Sequence, residues 1–148
     1  FVVSSRGNKK RPMSIQEAKY SIPYIMAVAL EYGSAWRDEF TDELINDEKL
    51  LNFASIVDVE PDFELDKLYD EKWPSIVEVK LNDGRVYSER VDLPKGEPEF
   101  PVSVNELKSK FKSLATDVLN DDKCETLWNK IMNLENIENI NELTDLLK

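Results

Sequence analysis

Ser75-Ile-Val-Glu-Val-Lys-Leu81, then Asn82-Asp-Gly84, then Arg85-Val-Tyr-Ser-Glu-Arg-Val91 is the stretch that decides the fold class. Apolar and polar residues alternate on both sides of the turn, with the two-residue period of a strand. An Asp-Gly pair between two such runs is the strongest short-range hairpin marker. The reading predicts an antiparallel pair with Val77, Val79 and Leu81 facing a core. Upstream, Ile56-Val-Asp-Val-Glu60 alternates in the same way and is expected to form a strand that Pro61 ends. Phe1-Val-Val3 reads as the end of another, so a sheet of three or four strands is expected. Between Pro61 and Pro74 the chain is acidic and aromatic, which fits a surface excursion.

Helical patterns flank this β region on both sides. Ser14 with Glu17 makes a capping box, and Ala18, Ile22, Ile25, Met26, Ala29 and Leu30 follow at three- and four-residue spacing. Pro23 lies inside that pattern and is expected to kink the helix or split it near Ser21. Gly33 supplies a stop. From Trp36 to Ser55 the pattern is of short helices, the clearest capped by Asn46 or Asp47 and carrying Leu50, Leu51, Phe53 and Ala54. Downstream, 93–101 holds three prolines and a glycine and cannot be regular structure. Ser103 with Glu106 then makes a second capping box, and Val104, Leu107, Phe111, Leu114, Ala115 and Val118 stripe one helix face. Asp121 or Asp122 opens another helix with Leu127, Trp128, Ile131 and Leu134, and a short one carries Ile140, Leu143, Leu146 and Leu147. The class is α+β: a small antiparallel sheet with helices, followed by an all-helical C-terminal segment.

The chain has 148 residues, 41% apolar and 33% charged, which supports one modest core and a wet surface. Its longest apolar run, Ile25 to Leu30, is far short of the ~20 residues that span a bilayer. Nineteen basic against thirty acidic residues leave a net charge of −11. Nucleic-acid binding depends on Lys and Arg displacing counterions, so that partner is not expected, and an anionic membrane would be repelled. The single cysteine, Cys124, cannot form an internal disulfide, which fits a reducing, cytoplasmic setting. There is no histidine, which removes Ser-His and Cys-His nucleophile pairs, His-rich zinc sites and the usual near-neutral base. The sequence opens at Phe1 with no signal-like segment, so a removed N-terminus or a piece of a longer protein is expected.

Two features are left over. Ser4 to Arg11 packs four cations into its last six positions, and reads either as a solvated loop or as an anion-binding segment turned by Gly7. The three closing helices carry more apolar positions than they can bury on one another, which points to an interface with something outside them.

Three stretches, in order, carry a resemblance. Ala18-Lys-Tyr-Ser-Ile-Pro-Tyr-Ile-Met-Ala-Val-Ala-Leu30 with Phe40-Thr-Asp42, Val77 to Val86, and Pro94-Lys-Gly-Glu-Pro-Glu-Phe-Pro-Val-Ser103 with Leu107 to Phe111 are similar to segments of the C-terminal part of the MmgE/PrpD family. Its members include 2-methylcitrate dehydratase, cis-aconitate decarboxylase and iminodisuccinate epimerase. The resemblance implies a large helical domain and a smaller α+β lid inserted before the last helices. Residues 1–98 would then be the lid, and 99–148 the linker and closing helices that pack on a helical domain absent from this chain. It also implies a lyase or isomerase acting on a small polycarboxylate, without a metal or organic cofactor, in a homo-oligomer. The histidines that such chemistry uses are missing from this chain, so no turnover by it alone is expected.

The residues that the resemblance singles out are Tyr24, a phenol beside Pro23 that could donate a hydrogen bond or proton to substrate, and Arg6 and Lys19, which could pair with substrate carboxylates. For each, an ordinary role is also open: a core tyrosine, or surface cations. Cys124 reads as a small hydrophobe, and the pairs Asp38/Glu39 and Asp121/Asp122 as helix-start charges. The competing functional readings are a separately encoded subunit and a non-catalytic interaction or scaffolding module.

Overall fold

The computed structural model describes residues 9–147. Ser4 to Asn8, with Arg6 and Gly7, and the expected strand at Phe1 to Val3 lie outside the described residues. The chain divides into two compact units, the first reaching to Phe63 and the second starting at Glu64. No helix among the described residues is long and apolar enough to cross a membrane.

In the first unit the capped pattern does split at Ser21, into α1 (Ile15–Lys19) and α2 (Ile22–Tyr32). Ser14 caps α1, its side chain accepting from the Glu17 N–H at 3.2 Å. Pro23 breaks nothing, because it sits in the first turn of α2, where its missing N–H has no helical partner to lose. Gly33 ends α2 at φ +73°, a conformation that a side chain would strain, and its N–H donates to Ala29 O at 2.9 Å. Two single 3₁₀ turns (Arg37–Glu39 and Leu44–Asn46) lead to α3 (Glu48–Ser55). Asp47 caps α3, accepting from the Lys49 N–H at 2.7 Å and the Leu50 N–H at 3.4 Å. The faces of α2 and α3 close a core of Tyr24, Val28, Ile45, Leu50 and Leu51, with Ala18, Ala27 and Ala54 letting the backbones approach. Burying Leu50 alone contributes roughly 1.5–3 kcal/mol.

The strand expected at Ile56–Glu60 does not form. The N–H groups of Ile56 and Val57 are taken by Phe53 O and Ala54 O at the end of α3, and the side chain of Ile56 is exposed. Backbone donors spent on ending a helix are not available to a ladder. A short α4 (Phe63–Asp66) follows the excursion's start.

In the second unit β1 (Ser75–Lys80) and β2 (Val86–Val91) pair antiparallel in the register Ser75↔Val91 to Lys80↔Val86. They close through Asn82-Asp83-Gly84: the Leu81 N–H donates to Arg85 O at 2.8 Å, and Gly84 sits at φ +89°. That is a three-residue hairpin loop with glycine in the left-handed position. This pair is the whole sheet among the described residues, in place of the expected three or four strands. Val77, Val79 and Leu81 face no core: Val77 is exposed, and Val79 and Leu81 are half-buried. Alternation specified the ribbon, but among the described residues no element covers it fully enough to bury a face.

The proline-rich segment is irregular yet ordered. The Gly96 N–H donates to Phe100 O at 2.8 Å, and Lys95 pairs with Glu106. Glu106 completes the capping box with Ser103 at the start of α5 (Val104–Ala115). Asn120 caps α6 (Asp121–Ile131), whose first turn holds Asp121 and Asp122 as helix-start charges. A last short α7 (Asn141–Thr144) runs on into a 3₁₀ turn. Leu119, Cys124 and Leu127 form a small core, flanked by Phe111, Ala115, Leu143 and Leu146. Cys124 is fully buried and acts as the small hydrophobe expected of it. The surplus is visible: Val104, Leu107, Leu114, Val118, Ile131 and Ile140 stay exposed.

Candidate functional site

The described part of the basic segment is spent on the fold. Lys9 Nζ donates to Tyr20 O at 3.0 Å, and Lys10 Nζ to Ser55 O and Asp58 Oδ1, both at 2.8 Å. Arg11 Nη2 pairs with Glu48 Oε1 at 2.6 Å. The segment therefore lies strapped along α3, held at Glu48 in its first turn and at Ser55 at its end. Ser21 joins this strap to α2. Its buried hydroxyl donates to Lys9 O and accepts from the Tyr24 N–H at 3.1 Å.

Tyr24 is wholly buried, with its ring tilted against Phe40 at a centroid distance of 6.1 Å. Among the described residues its hydroxyl is the one buried side-chain oxygen or nitrogen without a hydrogen-bond partner. Burial, followed by the nearby Tyr32 and Asp47, pushes its phenol up to about 12. The group is thus a standing proton donor and cannot serve as a base near neutrality. An unpaired buried hydroxyl costs about 1–3 kcal/mol, so it gains from any acceptor brought to it.

Lys19 ends α1 on the surface. It lines an open depression of about 350 Å³ together with Ile25, Ala35, Trp36, Arg37 and Phe40. Gly33 turns the chain back after α2, and the 3₁₀ turn at Arg37–Glu39 then presents Arg37 on the same wall. Glu39 holds that turn, accepting from the Trp36 N–H at 2.7 Å and the Ser34 hydroxyl at 2.9 Å. Arg37 leans on Asp38 at 3.3 Å. Two cations over an aromatic and aliphatic lining can receive a carboxylate while the ligand's carbon skeleton rests on Trp36 and Phe40.

Of the residues that the sequence singles out, Lys19 is in this wall, Tyr24 is not but its ring touches Phe40 of the wall, and Arg6 lies outside the described residues. Sequence reasoning missed Arg37 and Phe40. The signal was present as Trp36-Arg37 just after the Gly33 stop, but only the turn back onto α1 brings it beside Lys19. Among the described residues no group of three or more acidic or cysteine side chains is placed to hold a metal ion.

The family model of the MmgE/PrpD C-terminal domain matches residues 2–136. Cis-aconitate decarboxylase of Homo sapiens is 31% identical over 147 residues, covering 95% of this chain and 29% of the relative. The mouse decarboxylase is 31% identical over 145 residues, and that of Aspergillus terreus 24% over 141, each again covered over 29% of its length. The chain thus spans under a third of these relatives' length, and their names are those of cis-aconitate decarboxylases or decarboxylase-like proteins rather than 2-methylcitrate dehydratases.

Proposed function

The chain belongs to the MmgE/PrpD family as a C-terminal domain, and from that premise we propose that it is the substrate-covering part of a lyase or isomerase acting on a small polycarboxylate, without turnover of its own. Cis-aconitate is the first candidate substrate, since the relatives carry that activity in their names. The observation that carries this reading is a family match over residues 2–136 in a chain without a single histidine. Removing a proton next to a carboxylate near pH 7 calls for a base that titrates there, and no side-chain type in this chain has an ordinary pKa in that range except its one buried thiol. The base then comes from the rest of the protein.

In this reading Lys19 and Arg37, with Arg6, receive substrate carboxylates, and Tyr24 donates a hydrogen bond or proton once the complete enzyme brings an acceptor to its hydroxyl. No metal or organic cofactor is called for, because the developing negative charge is met by cations and a donor. Residues 1–98 act as the lid, and 99–148 close onto a helical domain. The exposed Val104, Leu107, Leu114 and Val118 support that division, since a soluble surface gains by covering them.

The test is to assay the purified chain with cis-aconitate, alone and with the N-terminal remainder of its own protein. The expected result is no carbon dioxide release from the chain alone and release from the mixture. Turnover by the chain alone overturns the reading. A mixture that forms a stable complex and converts no polycarboxylate leaves the interaction-module reading instead.

A further inference from the structure

Just before the hairpin, two large rings lie against each other in water. Tyr69 and Trp73 stack with centroids 5.8 Å apart and planes within 8°, yet they are 60% and 65% exposed. The backbone that presents them is fixed by turns, the Tyr69 N–H donating to Asp66 O at 3.1 Å and the Lys72 N–H to Leu68 O at 2.8 Å. The Trp73 N–H then donates to Asp92 O at 3.1 Å. The Asp92 carboxylate receives Lys72 Nζ at 3.0 Å and Arg90 Nε at 2.6 Å, so the pair is pinned to the open end of the β1–β2 ribbon.

The unspent charge in this segment has one sign. Both of its cations are already paired, Lys67 with Glu64 at 2.6 Å and Lys72 with Asp92. Asp66, Asp70 and Glu71 are exposed, and among the described residues none of the three has an ion-pair partner. The face of an aromatic ring is electron-rich and attracts a cation even at an exposed site. Arginine suits both parts of such a surface. Its planar guanidinium lies flat on a ring and offers paired N–H groups to a carboxylate, whereas the lysine ammonium is compact and strongly hydrated. Trp, Tyr and Arg are also the residues in which binding energy concentrates at protein interfaces. A nucleic acid or an anionic lipid surface would instead meet three like charges here.

We propose that the Tyr69–Trp73 stack is a docking platform for an arginine-bearing basic segment of a protein partner. A guanidinium rests on the open ring surface, and neighbouring cations of the segment pair with Asp66, Asp70 and Glu71. The surface does not depend on the carboxylate chemistry proposed above. Exposed contacts of this kind are individually modest and screened by salt, which suits a transient partner.

The test is an NMR titration of the isotope-labelled chain with a short peptide of alternating arginine and glycine. The Trp73 indole N–H and the amides of 69–71 should shift, while the buried Trp128 indole should not. A lysine–glycine peptide should bind about threefold more weakly, and a glutamine–glycine peptide should produce no shift. Trp73→Leu keeps the charge and should weaken the arginine peptide about three- to fivefold, as should Tyr69→Leu. D70N/E71Q should weaken it by about the same factor and flatten its salt dependence. D42N/E43Q removes the same charge from another exposed place and should change binding by less than about twofold. Five results overturn the proposal: no shift at 69–73, a lysine or glutamine peptide bound as tightly as the arginine one, indifference to Trp73→Leu, D42N/E43Q weakening binding as much as D70N/E71Q, or loss of the Trp73 shifts once the N-terminal remainder of the protein is added. Every substituted side chain is exposed, and unchanged circular dichroism of each variant shows that the fold is intact.

Discussion

Tyr24 and Ser21 are the two residues whose surroundings ask most of the fold. The Tyr24 phenol is raised to about 12 chiefly by burial, against an ordinary 10 in the unfolded chain. Folding therefore holds its proton more tightly, and the associated stability is present below about pH 10 and drains away as pH rises toward 12. Tyr24→Phe should remove that alkaline loss. At neutral pH it should leave stability unchanged or raise it by up to about 1 kcal/mol, because the hydroxyl it deletes has no partner. Urea melts at pH 7 and pH 11 check both. In the complete enzyme the same substitution should lower kcat by about a hundredfold, with KM little changed, if the phenol acts as donor. Ser21→Ala should cost about 1–2 kcal/mol in chain stability, since it strips the cap of α2 and takes the donor from a half-buried carbonyl at Lys9. The Ser-Ile-Pro-Tyr stretch was legible as a helix break. That its tyrosine would be fully enclosed was not, because enclosure depends on Phe40 and α3 arriving from elsewhere in the chain.

At the scale of elements, the starts and stops written in the sequence are the ones found. Ser14, Asp47 and Ser103 cap as expected, Gly33 stops α2, and Gly84 turns the hairpin, because each acts through backbone groups within four residues of itself. Asp47→Ala should destabilise the first unit by about 1 kcal/mol, seen as a lower urea midpoint with an unchanged slope. Glu106 sits at about 2, held down first by Lys95 and then by the Ser103 hydroxyl and N–H. A depressed carboxylate stabilises the fold above its unfolded value near 4.5 and loses that contribution as pH falls through 2. The start of α5 should accordingly fray between about pH 4.5 and 2. E106Q should show no such transition when the Ser103 amide is followed by NMR. The element that was misread, Ile56–Glu60, has a strand's alternation but sits directly behind α3, whose last carbonyls claim its first two amides. Alternation says which face could be buried and cannot say that a neighbour exists to bury it, a limit that applies equally to Val77.

For the whole molecule, the decisive fact is apolar surface without cover. Replacing both Leu107 and Leu114 of α5 with Lys should cost the chain's own stability about 1 kcal/mol or less, because each side chain is about half exposed. The same pair should abolish complex formation with the N-terminal remainder of the protein, measured by calorimetry, whereas Leu127→Ala in the small core should cost about 2–5 kcal/mol and unfold the closing helices. The candidate site follows the same division between near and far. Lys19 could be named from a motif, but Arg37 joins it only because Gly33 reverses the chain. What the amino-acid order determined unaided was local: the helix ends, the hairpin turn, the α+β class and the want of a histidine base, all set by interactions between residues a few positions apart or by composition itself. Which faces found partners, where the strap of Lys9 to Arg11 was anchored, and that Tyr24 was closed in while the ribbon stayed open were decided by the tertiary structure alone. Burial is a relation between distant segments, and no stretch of chain carries its neighbour's position within it.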